Sequence, residues 1–327
     1  MVLAPAGDVS DSVDQRFTPS RFPHSTGHWD TVHRVNTRAR SLFGVLFLYV
    51  VVVGAGIGTF AALRDLHPTI AVLIADLVAT VVVFIGSVVV RNSSMYDPYW
   101  SVIPPFLAWA FATLGHNIPV GRTVLLMVAI NVWAVRLTSN WVRGWPGIRH
   151  EDWRYGMLRQ DAKVPGWIID FSAVHLYPTL QVWVACLGMY AALALGTKAL
   201  NVLDWTAAAV IVLAALVQFV ADEQMRRHRR TASNVAFRGG LWSLSRHPNY
   251  FGEATVWWGV WLFGVAGNPA SWWWTLIGPV SMTALLRFAS CPMMDKRSVE
   301  RRPGYATLVR ELPAMAPIGR RIFVRGS

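Results

Sequence analysis

The chain has 327 residues, of which 54% are hydrophobic, and it carries a formal net charge of +12. Its mean hydropathy is positive, at +0.38, and long apolar runs recur along it, which excludes an ordinary water-soluble domain. The basic residues are divided among the loops between these runs rather than gathered on one soluble module, which argues against a nucleic-acid partner.

Residues 1–41 precede the first long apolar run. They carry Pro5, Pro19, Pro23 and several charges, and they lack the apolar core of a cleavable signal peptide. The sequence therefore predicts a cytoplasmic N-terminal tail that is mostly disordered.

Eight apolar runs follow, at 42–63, 69–90, 99–118, 120–138, 171–196, 202–222, 251–267 and 271–288. A membrane-spanning helix needs about 20 apolar residues, so the seventh run is short. The runs are apolar on every face, whereas strands of a membrane barrel alternate in polarity. We therefore predict an all-α polytopic membrane bundle of seven to eight transmembrane helices, formed as a single domain by residues 42–327.

Arginine and lysine residues predict the orientation of this bundle. When eight spans are threaded from a cytoplasmic N-terminus, almost all of these residues fall on the cytoplasmic side, as the positive-inside rule requires. Both termini are then cytoplasmic. The predicted location is a bacterial plasma membrane, with anionic lipid headgroups and a phosphate-bearing cofactor as partners of the basic loops. Cys186 and Cys291 lack metal-ligand spacing, so no metal site is predicted.

Acidic and tyrosine side chains in the first half of the chain are candidate proton donors, because burial raises a carboxyl pKa. Asp76 lies deep in the second run, where it either lines a substrate cavity or has a partner such as His116. Asp97 and Tyr99 stand at the start of the third run, although Asp97 before Pro98 is also a good helix N-cap. Further candidates, from a loop that could equally be a charged interfacial helix, are Glu151, Asp152 and Tyr155.

A polar stripe ends the sixth apolar run. Helical spacing places Gln218, Asp222, Arg226 and Arg229 on one face. The two guanidinium groups could bind phosphates bidentately, and Asp222 could accept a hydrogen bond from a ribose hydroxyl or an adenine amine. The alternative is a basic helix end that reaches anionic lipid.

The string SRHPNYFGE at 245–253 places polar side chains directly before the seventh run. Pro248 is expected to begin a helix, and Asn249 lies near its first turn, where free backbone N–H groups can face an anion. Tyr250 offers a stacking surface, and Glu253 lies one turn further on. A plain juxtamembrane helix start is the alternative interpretation. Downstream, Arg287 opens a third charged cluster, which could close over a cofactor or form a solvated tail.

These motifs resemble the steroid 5α-reductase family and its relatives the sterol reductases. The 245–253 string resembles the sterol reductase pattern, and the spacing of Asp222, Arg226 and Arg229 resembles the helix that holds the adenosine phosphate end of NADPH. Arg287 and the segment after it resemble the closing helix and tail of that family. The match covers roughly the last third of the chain. Segments 97–101 and 150–155 resemble a bacterial branch whose substrates are mostly unassigned.

The resemblance implies a helical bundle in which NADPH enters from the cytoplasm and a lipophilic substrate enters from the membrane. The cofactor-binding half would be residues 203–327. An activated carbon–carbon double bond would be reduced, with an acid at the carbonyl oxygen. Steroid 5α-reductases present a Glu and a Tyr there, and neither aligns with a particular residue of this chain. The implied cofactor contacts are Asp222, Arg226, Arg229, His247, Asn249, Tyr250, Glu253 and Arg287.

Two other functions are consistent with parts of this pattern. Membrane methyltransferases that act on isoprenylcysteine or phospholipid also use an Arg-His-Pro-x-Tyr-x-Gly string, but S-adenosylmethionine has no phosphate that would use Arg226 and Arg229. A non-enzymatic scaffold whose basic loops hold anionic lipid headgroups is the second alternative. The substrate and the oligomeric state are not specified by the sequence.

Overall fold

The computed structural model describes residues 27–160, 162–231 and 235–316. Within these ranges the regular structure is helical and contains no strand, which confirms the predicted all-α class. Single helical turns at Ser93–Tyr96 and Gly240–Ser243 lie between the longer elements. We label the helices α1 (Gly27–Ala62), α2 (Pro68–Val90), α3 (Tyr99–Leu114), α4 (Val120–Gly144), α5 (Trp153–Gln160), α6 (Gly166–Leu193), α7 (Val202–Thr231), α8 (Pro248–Gly267), α9 (Pro269–Arg301) and α10 (Tyr305–Glu311).

Six described helices are long and apolar enough to cross a membrane, namely α2, α4, α6, α7, α9 and the part of α1 from Thr37. The polytopic membrane bundle is therefore confirmed. Helices also form at the other two predicted runs, as α3 and α8, but these fall outside the set of six. Helix α3 is only 16 residues long, because it begins at the start of the predicted run but ends at Leu114, where Gly115 is extended. The cytoplasmic position of the termini stays a prediction.

The N-terminal part of α1 corrects the predicted tail. Residues 27–41 are helical and continue directly into the first apolar run. No proline lies between Pro23 and the end of α1. Arg38 binds this helix to the end of α4. Its Nε donates to the carbonyl oxygen of Trp145 at 3.0 Å, and its Nη2 donates to that of Val142 at 2.5 Å. Residues 1–26 of the predicted tail lie outside the described residues.

Helix α8 packs between α6 and α7. Glycines allow this close approach, since a Cβ at Gly188 would lie 2.6 Å from the carbonyl oxygen of Val260, and one at Gly252 would lie 2.9 Å from that of Ala214. Such contacts replace side-chain packing with backbone contact, as is common between membrane helices. They bring the polar stripe of α7 next to the first two turns of α8.

A buried ion pair fastens the opposite end of the same helices. Arg122 in α4 and Asp204 in α7 are fully buried, with Arg122 Nε 2.7 Å from Asp204 Oδ1. The guanidinium also donates to the carbonyl oxygens of Lys198 and Ala199, at 2.8 and 3.1 Å. Each nitrogen of the guanidinium group therefore has a hydrogen-bond acceptor, as a buried charge requires.

Candidate functional site

A cavity of about 520 Å³ opens between the C-terminal ends of α4 and α7, the start of α8, and α9 with α10. This volume is within the range of small-molecule sites. We call it the arginine cavity, because its wall contains Arg143, Arg226, Arg229, Arg230, Arg246 and Arg302. The remaining lining residues are Asn140, Gly144, Asp222, Met225, His228, Val235, Phe237, Trp242, His247, Asn249, Tyr250, Met294, Ser298, Tyr305 and Leu308.

The predicted stripe of α7 lies on the cavity wall. Asp222 forms an ion pair with Arg136 of α4 and accepts a hydrogen bond from Asn249 Nδ2 at 3.3 Å. Arg226 donates to Asn140 Oδ1 at 2.5 Å and to Glu223 at 2.8 Å. Arg229 has no hydrogen-bond acceptor among the residues that the structure describes. It is therefore available to an anionic ligand.

The start of α8 forms the inner edge of the cavity. Pro248 is the first helical residue, and the His247 and Tyr250 rings stack with centroids 5.3 Å apart. Asn249 donates from its amide nitrogen to Asp222, while its Oδ1 is buried and has no donor among the residues that the structure describes. A buried acceptor without a partner is costly, and one that borders a cavity can accept a hydrogen bond from a bound molecule.

Asp295 of α9 holds the wall of the cavity together. Arg246 Nη2 lies 2.9 Å from Asp295 Oδ2, and both His247 Nε2, at 2.8 Å, and the Tyr305 hydroxyl, at 2.9 Å, contact Oδ1. Burial and the adjacent Asp295 raise the pKa of Tyr305, so this hydroxyl stays protonated as a donor. The Arg246 and His247 backbone N–H groups donate to the Pro313 and Ala314 carbonyl oxygens, both at 3.0 Å. The segment after α10 therefore fastens the backbone of Arg246 and His247, whose side chains line the cavity.

Two predicted cofactor contacts lie elsewhere. Glu253 is beneath the cavity, where it accepts hydrogen bonds from Trp133 Nε1 and Trp257 Nε1, both at 3.0 Å, and from Gln218 Nε2 at 2.7 Å. Arg287 is exposed on a π-helical turn of α9, with its guanidinium 5.4 Å from the Phe288 ring centroid. Neither side chain lines the arginine cavity. Neighbouring tryptophans enclose Glu253, and the π turn directs Arg287 away.

Tyr99, a predicted catalytic residue, lies in a buried polar network between α2, α3 and α6. Its hydroxyl donates to Asp76 Oδ1 at 2.7 Å and accepts from Thr80 Oγ1 at 3.1 Å. Tyr99, rather than His116, is thus the partner of Asp76. The second carboxyl oxygen, Oδ2, is buried without a partner, and Asp76 lines a small apolar pocket between α1, α2 and α3. Asp76 is 14 residues before the end of α2, or roughly 21 Å along its axis.

Asp97 and Tyr155 form a second acid–tyrosine pair, in which the Tyr155 hydroxyl donates to Asp97 Oδ1. Asp97 does not cap α3, whose N-cap is Pro98. Burial raises the pKa of Asp97 to about 6, although the nearby Arg154 guanidinium and the Tyr155 hydrogen bond oppose that rise. Asp152 is ion-paired with Arg154, at 2.8 Å. The Asp97–Tyr155 pair therefore joins helix α5 to the start of α3.

Glu151 lies in an ion-pair cluster rather than in a cavity. Arg159 donates to both of its carboxyl oxygens, at 2.7 and 2.8 Å, and contacts Asp170 at 2.7 Å. Partial burial raises the pKa of Glu151, but the hydrogen bonds from Arg159 and from the Ser93 backbone outweigh it, so the pKa is lowered overall. An ionised, fully paired carboxylate is suited to fixing the loop and not to donating a proton.

Comparison with known proteins places this architecture in a family. The sequence profile described as "Protein of unknown function (DUF1295)" matches residues 83–312. The chain belongs to this family. The match begins within α2 and ends just after α10, so it includes the arginine cavity and the Asp97–Tyr155 pair, whereas Asp76 lies before it. The chain is also similar to the uncharacterized protein C594.04c of Schizosaccharomyces pombe, with 26% identity over 246 residues, which cover 67% of this chain and 71% of the relative. No solved structure matches the chain significantly.

Several cavity residues of this DUF1295 member were not among the sequence-based candidates. Asn140 and Arg143 of α4 line the cavity, and their spacing of three residues at the end of the fourth apolar run is the signal that could have revealed them. Arg302, which belongs to the charged cluster predicted after Arg287, also lines the cavity, close to Arg229. The contribution of α4 depends on its packing against α7, which no local pattern specifies.

The raised pKa of Asp97 predicts a pH-dependent contribution to stability. Because the folded pKa, about 6, lies above the usual 3.8, the group stabilises the fold at low pH and loses that contribution as the pH rises through about 6. Asp97→Asn keeps an acceptor for Tyr155 but cannot ionise. We expect its thermal midpoint, relative to wild type, to be higher at pH 7.5 than at pH 5. A difference that is independent of pH would contradict the burial of Asp97.

Proposed function

We propose that this protein is a membrane-embedded, NADPH-dependent reductase of an activated carbon–carbon double bond in a lipophilic substrate. The observation that carries the proposal is the arginine cavity, in which six guanidinium groups surround Asp222 and Asn249. NADPH carries three phosphate groups and also offers hydroxyl and amide donors. The resemblance of the 245–253 string and of the α7 stripe to steroid 5α-reductases supports the same assignment.

The side chains of the cavity fit such a cofactor. Within the described ranges Arg229 has no acceptor, and Arg302 has only a long contact of 3.4 Å to Ser298 Oγ, so both can bind phosphate oxygens. The unpartnered Oδ1 of Asn249 can accept from an amide or hydroxyl of the ligand. S-adenosylmethionine would leave most of these cations without a counter-charge. The cavity therefore favours a phosphorylated dinucleotide over the cofactor of a methyltransferase.

When bound, NADPH would supply the hydride that adds to the β-carbon of the double bond. We assign the accompanying proton to Tyr99, whose hydroxyl is held by Asp76. In this step the hydroxyl would turn from Asp76 Oδ1 to donate to the carbonyl oxygen, stabilise the negative charge that develops there and pass on its proton, which a protonated Asp76 would replace. The small apolar pocket that Asp76 lines adjoins this pair.

Cofactor binding to the purified protein in phosphatidylcholine nanodiscs tests the proposal. We expect energy transfer from tryptophan to NADPH, and no detectable heat of binding for S-adenosylmethionine. Selective binding of S-adenosylmethionine would contradict the reductase assignment and favour the methyltransferase. Binding of neither would favour the lipid scaffold.

The contribution of Arg229 can be measured in the same assay. Arg229→Ala is expected to weaken NADPH binding by about 10- to 100-fold, because a hydrogen bond to a charged group contributes roughly 1.5–3 kcal/mol. Arg227→Ala is the matched control: Arg227 lies on the same helix, its side chain is 78% exposed, and it does not line the cavity. Equal effects of the two substitutions would show that the cofactor does not contact Arg229.

A further inference from the structure

Two depressions flank α4 on its membrane-facing side. One, of about 640 Å³, lies between α4 and α7, and the other, of about 570 Å³, lies between α4, α3 and α1. Asn131, Val135 and Ser139 of α4 line both. The two depressions therefore form one continuous surface across the helix, which we call the α4 groove.

The α4 groove connects the two parts of the proposed active site. At one end it shares Asn140, Arg143, Asp222 and Arg226 with the arginine cavity. At the other end it shares Ile57, Phe106 and Trp109 with the pocket beside Asp76. A molecule lying in the groove thus has access both to the cofactor cavity and to the pocket that Asp76 lines.

The groove is not a uniformly apolar, lipid-facing surface. Asn131 is exposed in the middle of a membrane span, and its Nδ2 donates to the Met127 carbonyl at 2.8 Å. Its Oδ1 has no donor among the described residues. Arg136 lines the groove with a side chain only 10% exposed, and its Nε is buried without an acceptor. Polar groups at this depth are costly unless a ligand or partner uses them.

The charges around the groove are largely compensated. Arg136 is paired with Asp222, and Glu223 pairs with both Arg143, at 3.2 Å, and Arg226, at 2.8 Å. An anionic phospholipid headgroup would have to compete with these carboxylates. The free groups, an amide oxygen and a single N–H, match a hydroxyl or a carbonyl instead.

We infer that the α4 groove binds the substrate of the proposed reductase, and that this substrate is a neutral, extended lipid, an acyl or isoprenoid chain with a carbonyl or hydroxyl group. The inference rests on the proposed function for the identity of the occupant as substrate. Along α4, the lining from Val128 to Ser139 measures roughly 16 Å, enough for an extended chain. The lipid enters from the membrane, without passing through the cytoplasmic opening of the arginine cavity.

Photolabelling of the full-length protein in phosphatidylcholine nanodiscs tests the inference. The probe is a long-chain α,β-unsaturated ketone that carries a diazirine, and labelled peptides are mapped by mass spectrometry. We expect labels to concentrate on 128–143 and 219–226 and to be displaced by the unlabelled ketone but not by an alkane of equal length. Val135→Trp, which fills the shared part of the groove, is expected to reduce this labelling about tenfold.

Val124→Trp is the matched control, because Val124 is an exposed valine of the same helix that does not line the groove. A second variant, Asn131→Leu, should abolish the advantage of a long-chain alcohol over an alkane of equal length as a competitor, because Asn131 Oδ1 can accept from a hydroxyl, whereas a lipid-facing role alone would leave it unchanged. Labels spread evenly over the lipid-facing helices, or insensitive to Val135→Trp, would overturn the inference.

NADPH binding measured on the same samples separates this inference from the proposed function. Binding of NADPH without localised labelling would refute the groove and leave the reductase assignment intact. Localised labelling without NADPH binding would support the groove as a lipid site and refute its role as a reductase substrate site.

Discussion

Replacing Tyr99 with phenylalanine is expected to lower the turnover of an enone substrate by about 10²- to 10⁴-fold, the usual contribution of a positioned general acid. The substitution removes only the hydroxyl that contacts Asp76 and Thr80. Tyr99 does not line the arginine cavity, so the affinity for NADPH should be unchanged. The measurement is NADPH oxidation against a panel of enones that includes 3-keto steroids, together with cofactor binding.

Tyr96→Phe is the matched control for this experiment. Tyr96 stacks on Tyr99, with ring centroids 4.8 Å apart, but its hydroxyl contacts Thr179 rather than Asp76. The variant Tyr96→Phe should therefore retain most of the reductase activity. If Tyr96→Phe and Tyr99→Phe lost activity to the same extent, or if Tyr99→Phe also abolished NADPH binding, Tyr99 would be a structural residue and not the proton donor.

Arg122→Ala is expected to have the largest effect on stability, a loss of about 3–5 kcal/mol, because it leaves the Asp204 carboxylate buried without its partner. The Lys198 carbonyl would also lose its donor, and the Ala199 and Ala266 carbonyls would keep only Asn201 Nδ2 as a side-chain donor. Cys186 and Cys291 are both buried and unpaired. Thermal unfolding in detergent can therefore be followed with a thiol-reactive dye, which reacts as these side chains become exposed.

The double substitution Arg122→Met with Asp204→Leu is the control for the ion pair. Replacing both partners with apolar residues of similar volume removes the buried charges together, so it should cost much less than Arg122→Ala alone. If the single substitution left the unfolding temperature unchanged, Arg122 would not fasten these helices. If the double variant were the less stable of the two, the carbonyl contacts would outweigh the ion pair.

Sequence patterns predicted the features of this molecule that depend on local order. Apolar runs identified the positions of the membrane helices, because hydrocarbon requires each span to satisfy its own backbone hydrogen bonds. Helical spacing placed Asp222, Arg226 and Arg229 on one face, and all three line the arginine cavity. Pro248 correctly marked the start of α8.

The remaining features depend on contacts between distant segments. The partner of Asp76 could not be predicted, because the chain turns back along α2 at Ser93–Tyr96 and brings Tyr99 beside it. Glu253 is predicted to contact the cofactor, but Trp133, from another span, encloses it. Arg287 lies in the run 271–288, which predicts a regular helix, whereas a π turn changes the direction of its side chain.

The position of Arg122 restricts how the bundle can move. It lies 18 residues before Asn140, about 27 Å along α4, at the end of the helices remote from the arginine cavity. Since Arg122 joins α4 to the start of α7 and to the last turn of α8, these helices cannot separate there without exposing a charge to hydrocarbon. In the proposed reductase, exchange of spent for fresh coenzyme would then require the opposite ends of these helices to move apart, while the ends joined by Arg122 stay together.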